Sequence, residues 1–88
     1  MKVIIQPRAK KELKTLAKPI IEQILRKLNS IRENPLANIE RLKGYSLWKL
    51  RIGDYRAIIF IDTGKEEMHI IKIGHRKNIY KKLGLMLF

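Results

Sequence analysis

The chain opens on a short apolar run, Lys2-Val3-Ile4-Ile5-Gln6, that reads as a first strand. Pro7 then suits the first turn of a helix, because its ring presets φ and its missing N–H is not needed there. Ala9, Leu13, Leu16 and Ala17 follow at helical spacing, with Arg8, Lys10, Lys11, Glu12 and Lys14 around them. Pro19 breaks this helix and can start the next. A second helix over roughly residues 19–33 carries Ile20, Ile24, Leu28 and Ile31, with Ile21 and Leu25 beside them. Those positions form a wide apolar stripe at period 3.6. Asn34-Pro35 ends it. The two helices thus predict an antiparallel hairpin whose apolar faces need a sheet to cover.

Residues 36–46 read as a connection, and three strands follow at 47–52, about 55–62 and about 67–73. Residues 77–83 could close the chain with a short helix. The order β-α-α-β-β-β-α predicts an α+β fold, with the helical hairpin on one face of a mostly antiparallel four-stranded sheet. The whole chain, residues 1–88, reads as one domain, with no repeat and no linker.

The central hairpin can be read residue by residue. Gly53-Asp54 fits a two-residue loop. That register pairs Ile52 with Tyr55, Arg51 with Arg56 and Lys49 with Ile58. Alternation then divides the hairpin. Trp48, Leu50, Ile52, Tyr55, Ala57, Ile59 and Ile61 should pack on the helices. Leu47, Lys49, Arg51, Arg56, Ile58 and Phe60 should form the open face. Arg51 opposite Arg56 is informative, since like charges directly across an antiparallel pair destabilise it. Either both side chains splay into water, or an anion sits between them.

Charge sharpens this picture. Twenty Lys and Arg face eight Asp and Glu, a formal charge of +12 on 88 residues. Such a field favours a polyanion: nucleic acid, an anionic membrane or an acidic protein. A generally basic, Lys-rich protein is the plainer account. No cysteine is present, so disulfides and thiolate zinc sites are excluded. His69 and His75 have no ligand-like spacing, and no metal or other cofactor is expected. With no signal peptide or membrane span visible, the expectation is a soluble cytoplasmic protein.

The stretch "IIKIGHRKNIYKK", residues 70–82, passes from buried strand to His75, Arg76, Lys77, Asn78 and Tyr80. If the last strand pairs with its predecessor, its end nears the rim that carries Lys49, Arg51 and Arg56. No phosphate-binding glycine loop and no cysteine nucleophile exist here. Lys, Arg, His and Tyr together suit metal-independent RNA cleavage. The 2′-hydroxyl must lose a proton, the phosphorane charge must be stabilised and the leaving 5′-oxygen must gain a proton. Arginine binds phosphoryl oxygens bidentately.

Over its full length the sequence resembles the RelE/ParE toxin superfamily of type II toxin–antitoxin modules. The element order, "RLKGYSLWKLRIGDYRAIIF" at 41–60 and "IGHRKNIY" at 73–80 carry the resemblance. The terminal "GHRKNIY" is similar to the RelE-like, ribosome-dependent RNase branch (the mRNA interferases). The resemblance implies an endoribonuclease that cuts mRNA in the ribosomal A site. It also implies a small acidic RelB-like antitoxin wrapped around it, in a hetero-oligomeric complex without membrane involvement. It assigns catalytic roles to Lys49 in proton transfer or phosphate binding, to Arg56 in transition-state stabilisation, to Arg76 as general acid and to Tyr80 as general base or stacking partner. RNA contacts are expected at Arg51, His75, Lys77 and Lys43, and His75 is a plausible substitute base. A second family lysine, two residues before Lys49, is Leu47 here. The segment between Arg76 and Tyr80 is also shorter than in the best-studied members.

Two other functions stay open. A ParE-like toxin would inhibit DNA gyrase by binding, without nuclease activity. An inactive module would dock its basic surface on a ribosome or an antitoxin. Ile58 and Phe60 on the open face, with the tail "GLMLF" at 84–88, suit an amphipathic acidic partner. The tail could equally fold back on its own domain.

Overall fold

The computed structural model describes residues 1–81. Strand β1 (Lys2–Ile5) leads into helix α1 (Pro7–Lys14) and helix α2 (Lys18–Ile31). A single 3-10 turn at Pro35–Ala37 precedes β2 (Glu40–Leu42), β3 (Leu47–Ile52), β4 (Tyr55–Asp62) and β5 (Glu67–His75). The strands form one sheet in the order β1-β5-β4-β3-β2. All neighbours are antiparallel except β1 and β5, which run parallel with Val3 beside Met68.

The helix limits follow from local chemistry. Gln6 is extended, as a residue before proline must be, and Pro7 opens α1. Thr15 ends it, its hydroxyl donating to the Glu12 carbonyl at 2.7 Å. Pro19 lies in the first turn of α2, as predicted. Ala9 and Leu13 of α1 and Ile24, Leu28 and Ile31 of α2 pack against Leu50, Ile52, Ala57, Ile59, Met68, Ile70 and Ile73 of the sheet. Each of the large residues among these contributes roughly 1.5–3 kcal/mol by leaving water. This is the main core, and it binds the helical hairpin to one face of the sheet as the pattern predicts.

Glu12 ties α1 to β5 where β1 has run out. β1 pairs β5 only as far as Ile70. Beyond it, Glu12 Oε1 accepts the Ile73 N–H at 3.1 Å, and Oε2 meets Lys72 Nζ at 2.9 Å. One side chain thus satisfies an orphan backbone donor and a largely buried ammonium.

Three expectations need correction. The sheet has five strands rather than four, because Glu40–Leu42 inside the expected connection pairs with β3. Three residues between turns give no readable alternation. Residues 76–81 form turns rather than the start of a helix over 77–83. Ile79 N–H and Asn78 N–H both reach the His75 carbonyl. The remainder of that segment, and the apolar tail at 84–88, lie outside the described residues. β5 also runs two residues further than expected, so Gly74 and His75 belong to the strand.

The face opposite the helices is not fully open. Leu42, Leu47, Ile58 and Ile79 form a second, smaller core, with Tyr45 and Ile71 against it. Ile58, expected to be exposed, is 0% exposed because Ile79 roofs it. Phe60 remains 41% exposed. Among the described residues no helix is long and apolar enough to cross a membrane.

Candidate active site

The β3–β4 hairpin has the predicted register: Ile52 pairs with Tyr55, Arg51 with Arg56 and Lys49 with Ile58. Gly53 takes φ +58°, a left-handed conformation that glycine adopts without strain. Lys49, Arg51 and Arg56 therefore share one face. They line a cleft of about 220 Å³ together with Asn38, Glu40 and Tyr80.

Each wall of the cleft has its own support. Glu40 on β2 lies directly opposite Lys49, and the Lys49 ammonium is 3.9 Å from the Glu40 carboxylate. Arg56 relieves its repulsion with Arg51 by turning back to the hairpin loop. Its Nη1 donates to the carbonyls of Gly53 at 2.7 Å and Tyr55 at 2.8 Å. One nitrogen is thus tethered, and the rest of the fork is left for an anion. Tyr80 arrives from the turn after β5 and is positioned by its neighbour Ile79. Ile79 fits over Gly74 of β5, the cross-strand partner of Arg56 on β4.

Among the described residues the cleft holds three cations against one carboxylate. It has a fixed guanidinium for phosphoryl oxygens, a carboxylate able to take a proton, and an ammonium and a phenol able to give one. Of the eight residues expected at the site, Lys49, Arg51, Arg56 and Tyr80 come together here.

The other four lie outside its lining. Arg76 sits at the hairpin turn, where its N–H donates to the Asp54 carbonyl at 2.8 Å and its Nε is 3.7 Å from the Asp54 carboxylate. His75 pairs with Tyr55, so it points toward the helix side. Its ring meets the Tyr55 ring edge-on at 5.5 Å, and its Nδ1 accepts the Lys77 N–H at 3.1 Å. It lines a separate depression with Lys11, Thr15 and Asn78. Lys77 is exposed in the turn, and Lys43 is exposed between β2 and β3. Leu47 is buried in the second core, where a lysine would have no partner.

Two lining residues were missed by sequence reasoning, Asn38 and Glu40. Neither carries a signal readable in the sequence: Glu40 faces Lys49 only because residues 40–42 pair with β3, and Asn38 lies in the connection before them.

A family model described as the ParE toxin of type II toxin–antitoxin systems, parDE, matches residues 3–80. The chain belongs to this family. The toxin matches no curated protein. Solved structures agree on its fold. Its chain superposes on the RelBE2 toxin–antitoxin complex of Mycobacterium tuberculosis with a TM-score of 0.77 at 22% identity, covering 85% of this toxin and 96% of that chain. The RelE–RelB complex of Pyrococcus horikoshii gives a TM-score of 0.75 at 24% identity, covering 88% and 96%. The intact RelBE complex of E. coli gives 0.70 at 29% identity, covering 84% and 94%. The family model carries the ParE name and these three structures carry RelE names. Both fall in the RelE/ParE superfamily, and the choice of target is left to the chemistry of the cleft.

Proposed function

We propose that this toxin is a ribosome-dependent endoribonuclease that cuts mRNA in the ribosomal A site by attack of a 2′-hydroxyl on the adjacent phosphate. One observation carries the reading: a carboxylate, a tethered arginine, a lysine and a tyrosine line a single cleft. Each step of metal-independent transphosphorylation then has a side chain. Glu40 takes the 2′-hydroxyl proton as the 2′-oxygen bonds to phosphorus. Arg56 and Lys49 hold the non-bridging oxygens as charge builds on the phosphorane. The bond to the 5′-oxygen breaks, and Tyr80 supplies the proton that oxygen needs. The products are a 2′,3′-cyclic phosphate and a free 5′-hydroxyl. Arg51 binds the flanking phosphate. Arg76, anchored by Asp54, adds positive charge at the rim, and Lys77, His75 and Lys43 widen the cationic approach.

The carboxylate role replaces the general base that the resemblance assigned to Tyr80. Glu40 lies opposite Lys49 across β2 and β3, its exposed carboxylate 3.9 Å from the ammonium, which supports a base beside the lysine that would bind the phosphate. The partner is an acidic antitoxin of the RelB kind. Several solved neighbours are toxin–antitoxin complexes, and exposed Phe60 beside partly buried Ile71 gives an amphipathic acidic chain an apolar foothold.

The ParE description of the family favours a second reading, inhibition of DNA gyrase by binding. A purified translation system separates the two. Cleavage of a defined message only when ribosomes are present supports the nuclease. An intact message, together with loss of gyrase supercoiling on adding the toxin, supports the second reading and overturns the first.

A further inference from the structure

Arg51 belongs to two depressions. One is the cleft. The other, about 380 Å³, runs between α2 and the β3–β4 turn, and Gln23, Arg26, Lys27, Ser30 and Gly53 line it with Arg51. Positions 23, 26, 27 and 30 are spaced i, i+3, i+4, i+7, one continuous stripe of α2. It runs beside the buried Ile24–Leu28–Ile31 stripe and faces the hairpin. Gly53 lets the turn come close, since a Cβ there would lie 3.3 Å from the Gln23 amide nitrogen.

The composition of this groove narrows its ligand. Three cations, an amide and a hydroxyl line it together with Ile52, which is 4% exposed and belongs to the main core, and among the described residues no carboxylate does. Among the described residues Arg26, Lys27 and Arg51 form no ion pair. Among the described residues the exposed large apolar side chains, Leu25, Leu36, Phe60 and Tyr80, all lie outside it. A protein helix needs apolar anchors to dock in a groove. A phosphodiester backbone needs only cations and hydrogen-bond donors.

We infer that this groove is a second RNA subsite, which holds the backbone of the substrate strand where it leaves the cleft across Arg51. The inference rests on reading the cleft as an RNA-cleaving site. Arg51 is the hinge between the two, and Arg26 and Lys27 take the phosphates beyond it.

The test uses the purified toxin and single-stranded RNA made uncleavable by 2′-O-methylation. The trimer serves as the short probe for the cleft, and the decamer as a probe long enough to reach beyond it into the groove. Binding is followed by fluorescence anisotropy over a salt series. The Arg26→Gln/Lys27→Gln double variant is compared with Lys10→Gln/Lys14→Gln, which removes the same charge from exposed positions of α1. For the decamer, the groove variant should lower the slope of log affinity against log salt by about 1.4, at about 0.7 per phosphate contact on a single strand. Trimer binding should be unchanged, which also reports an intact fold. The α1 control should change the slope less.

Equal losses in the two doubles would make the charge diffuse and overturn the subsite. A loss that extends to the trimer would place Arg26 and Lys27 at the cleft instead. Unchanged decamer binding with weaker binding of poly-glutamate would assign the groove to an acidic protein. Preference for duplex RNA, lost in the same variant, would assign it to a ribosomal helix rather than the substrate strand. A wild-type toxin that cuts no ribosome-bound message fails the nuclease reading separately, because the groove is judged on uncleavable RNA.

Discussion

Gly74 on β5 is the direct cross-strand partner of Arg56 on β4, and Ile79 occupies the space its missing side chain leaves. A Cβ on Gly74 would meet Ile79 Cδ1 at 3.2 Å. Ile79 is 1% exposed, and the next residue is Tyr80 of the cleft. The second core therefore sets where the phenol stands. Gly74→Ala asks only a small shift of a flexible methyl and should leave cleavage near wild type. Gly74→Val should lift the turn, cost about 1–3 kcal/mol by overpacking and lower kcat. Ile79→Ala should cost about 2–5 kcal/mol from the lost burial and the cavity. Urea unfolding paired with cleavage rates checks all three. Wild-type activity in Gly74→Val would separate Tyr80 from this packing.

Arg56 should be the most sensitive cation of the cleft. Its tether to the hairpin carbonyls fixes the guanidinium before substrate arrives, so little reorganisation accompanies charge development. Arg56→Ala should lower kcat for ribosome-dependent cleavage by about 10²–10³. The lost hydrogen bonds should cost only about 1 kcal/mol of stability. Arg51→Ala, which removes an exposed and untethered group, should raise KM more than it lowers kcat. A fully toxic Arg56→Ala in cells would sink the assigned role.

The hairpin is legible in the sequence because its two signals agree. Gly53-Asp54 sets the turn, and alternation from Leu47 to Ile61 sets the faces, so the Arg51–Arg56 pair follows from the amino-acid order alone. β2 is not legible. Glu40–Leu42 is held by pairing with β3 rather than by its own pattern, and Glu40 is lost from the predicted site with it. The open face misleads for a related reason. Alternation says which residues share a side, not what later segment covers it, and Ile79 arrives from the turn after β5 to bury Ile58. His75 falls near Arg56 by its place in the chain, yet strand alternation turns it the other way.

Glu12 should prove structural although it sits beside a depression. Its carboxylate serves Lys72 Nζ and the Ile73 N–H together, and the Lys72 side chain is only 12% exposed. Glu12→Ala should cost about 2–3 kcal/mol, since it leaves both an ammonium and a backbone donor short of a partner. Glu12→Gln should cost less, because its amide oxygen still accepts from Ile73. Equilibrium urea unfolding measures both. Equal losses in the two variants would show that the ion pair, not the backbone bond, supplies the stabilisation.

Glu40 and Tyr80 should separate by what each variant leaves behind. In the proposed reaction Glu40 takes the 2′-hydroxyl proton and Tyr80 gives one to the leaving oxygen. Glu40→Gln keeps the size of the side chain but removes the basic oxygen, so kcat should fall by about 10²–10⁴. Binding of uncleavable RNA should tighten slightly, since the only carboxylate that lines the cleft among the described residues has gone. Tyr80→Phe keeps any stacking surface and removes the hydroxyl, so it too should lower kcat with little change in KM. A substrate with a 5′-thio leaving group needs no protonation to depart, and it should rescue Tyr80→Phe but not Glu40→Gln. Rescue of both, or of neither, would mean that the acid and base have been assigned to the wrong side chains.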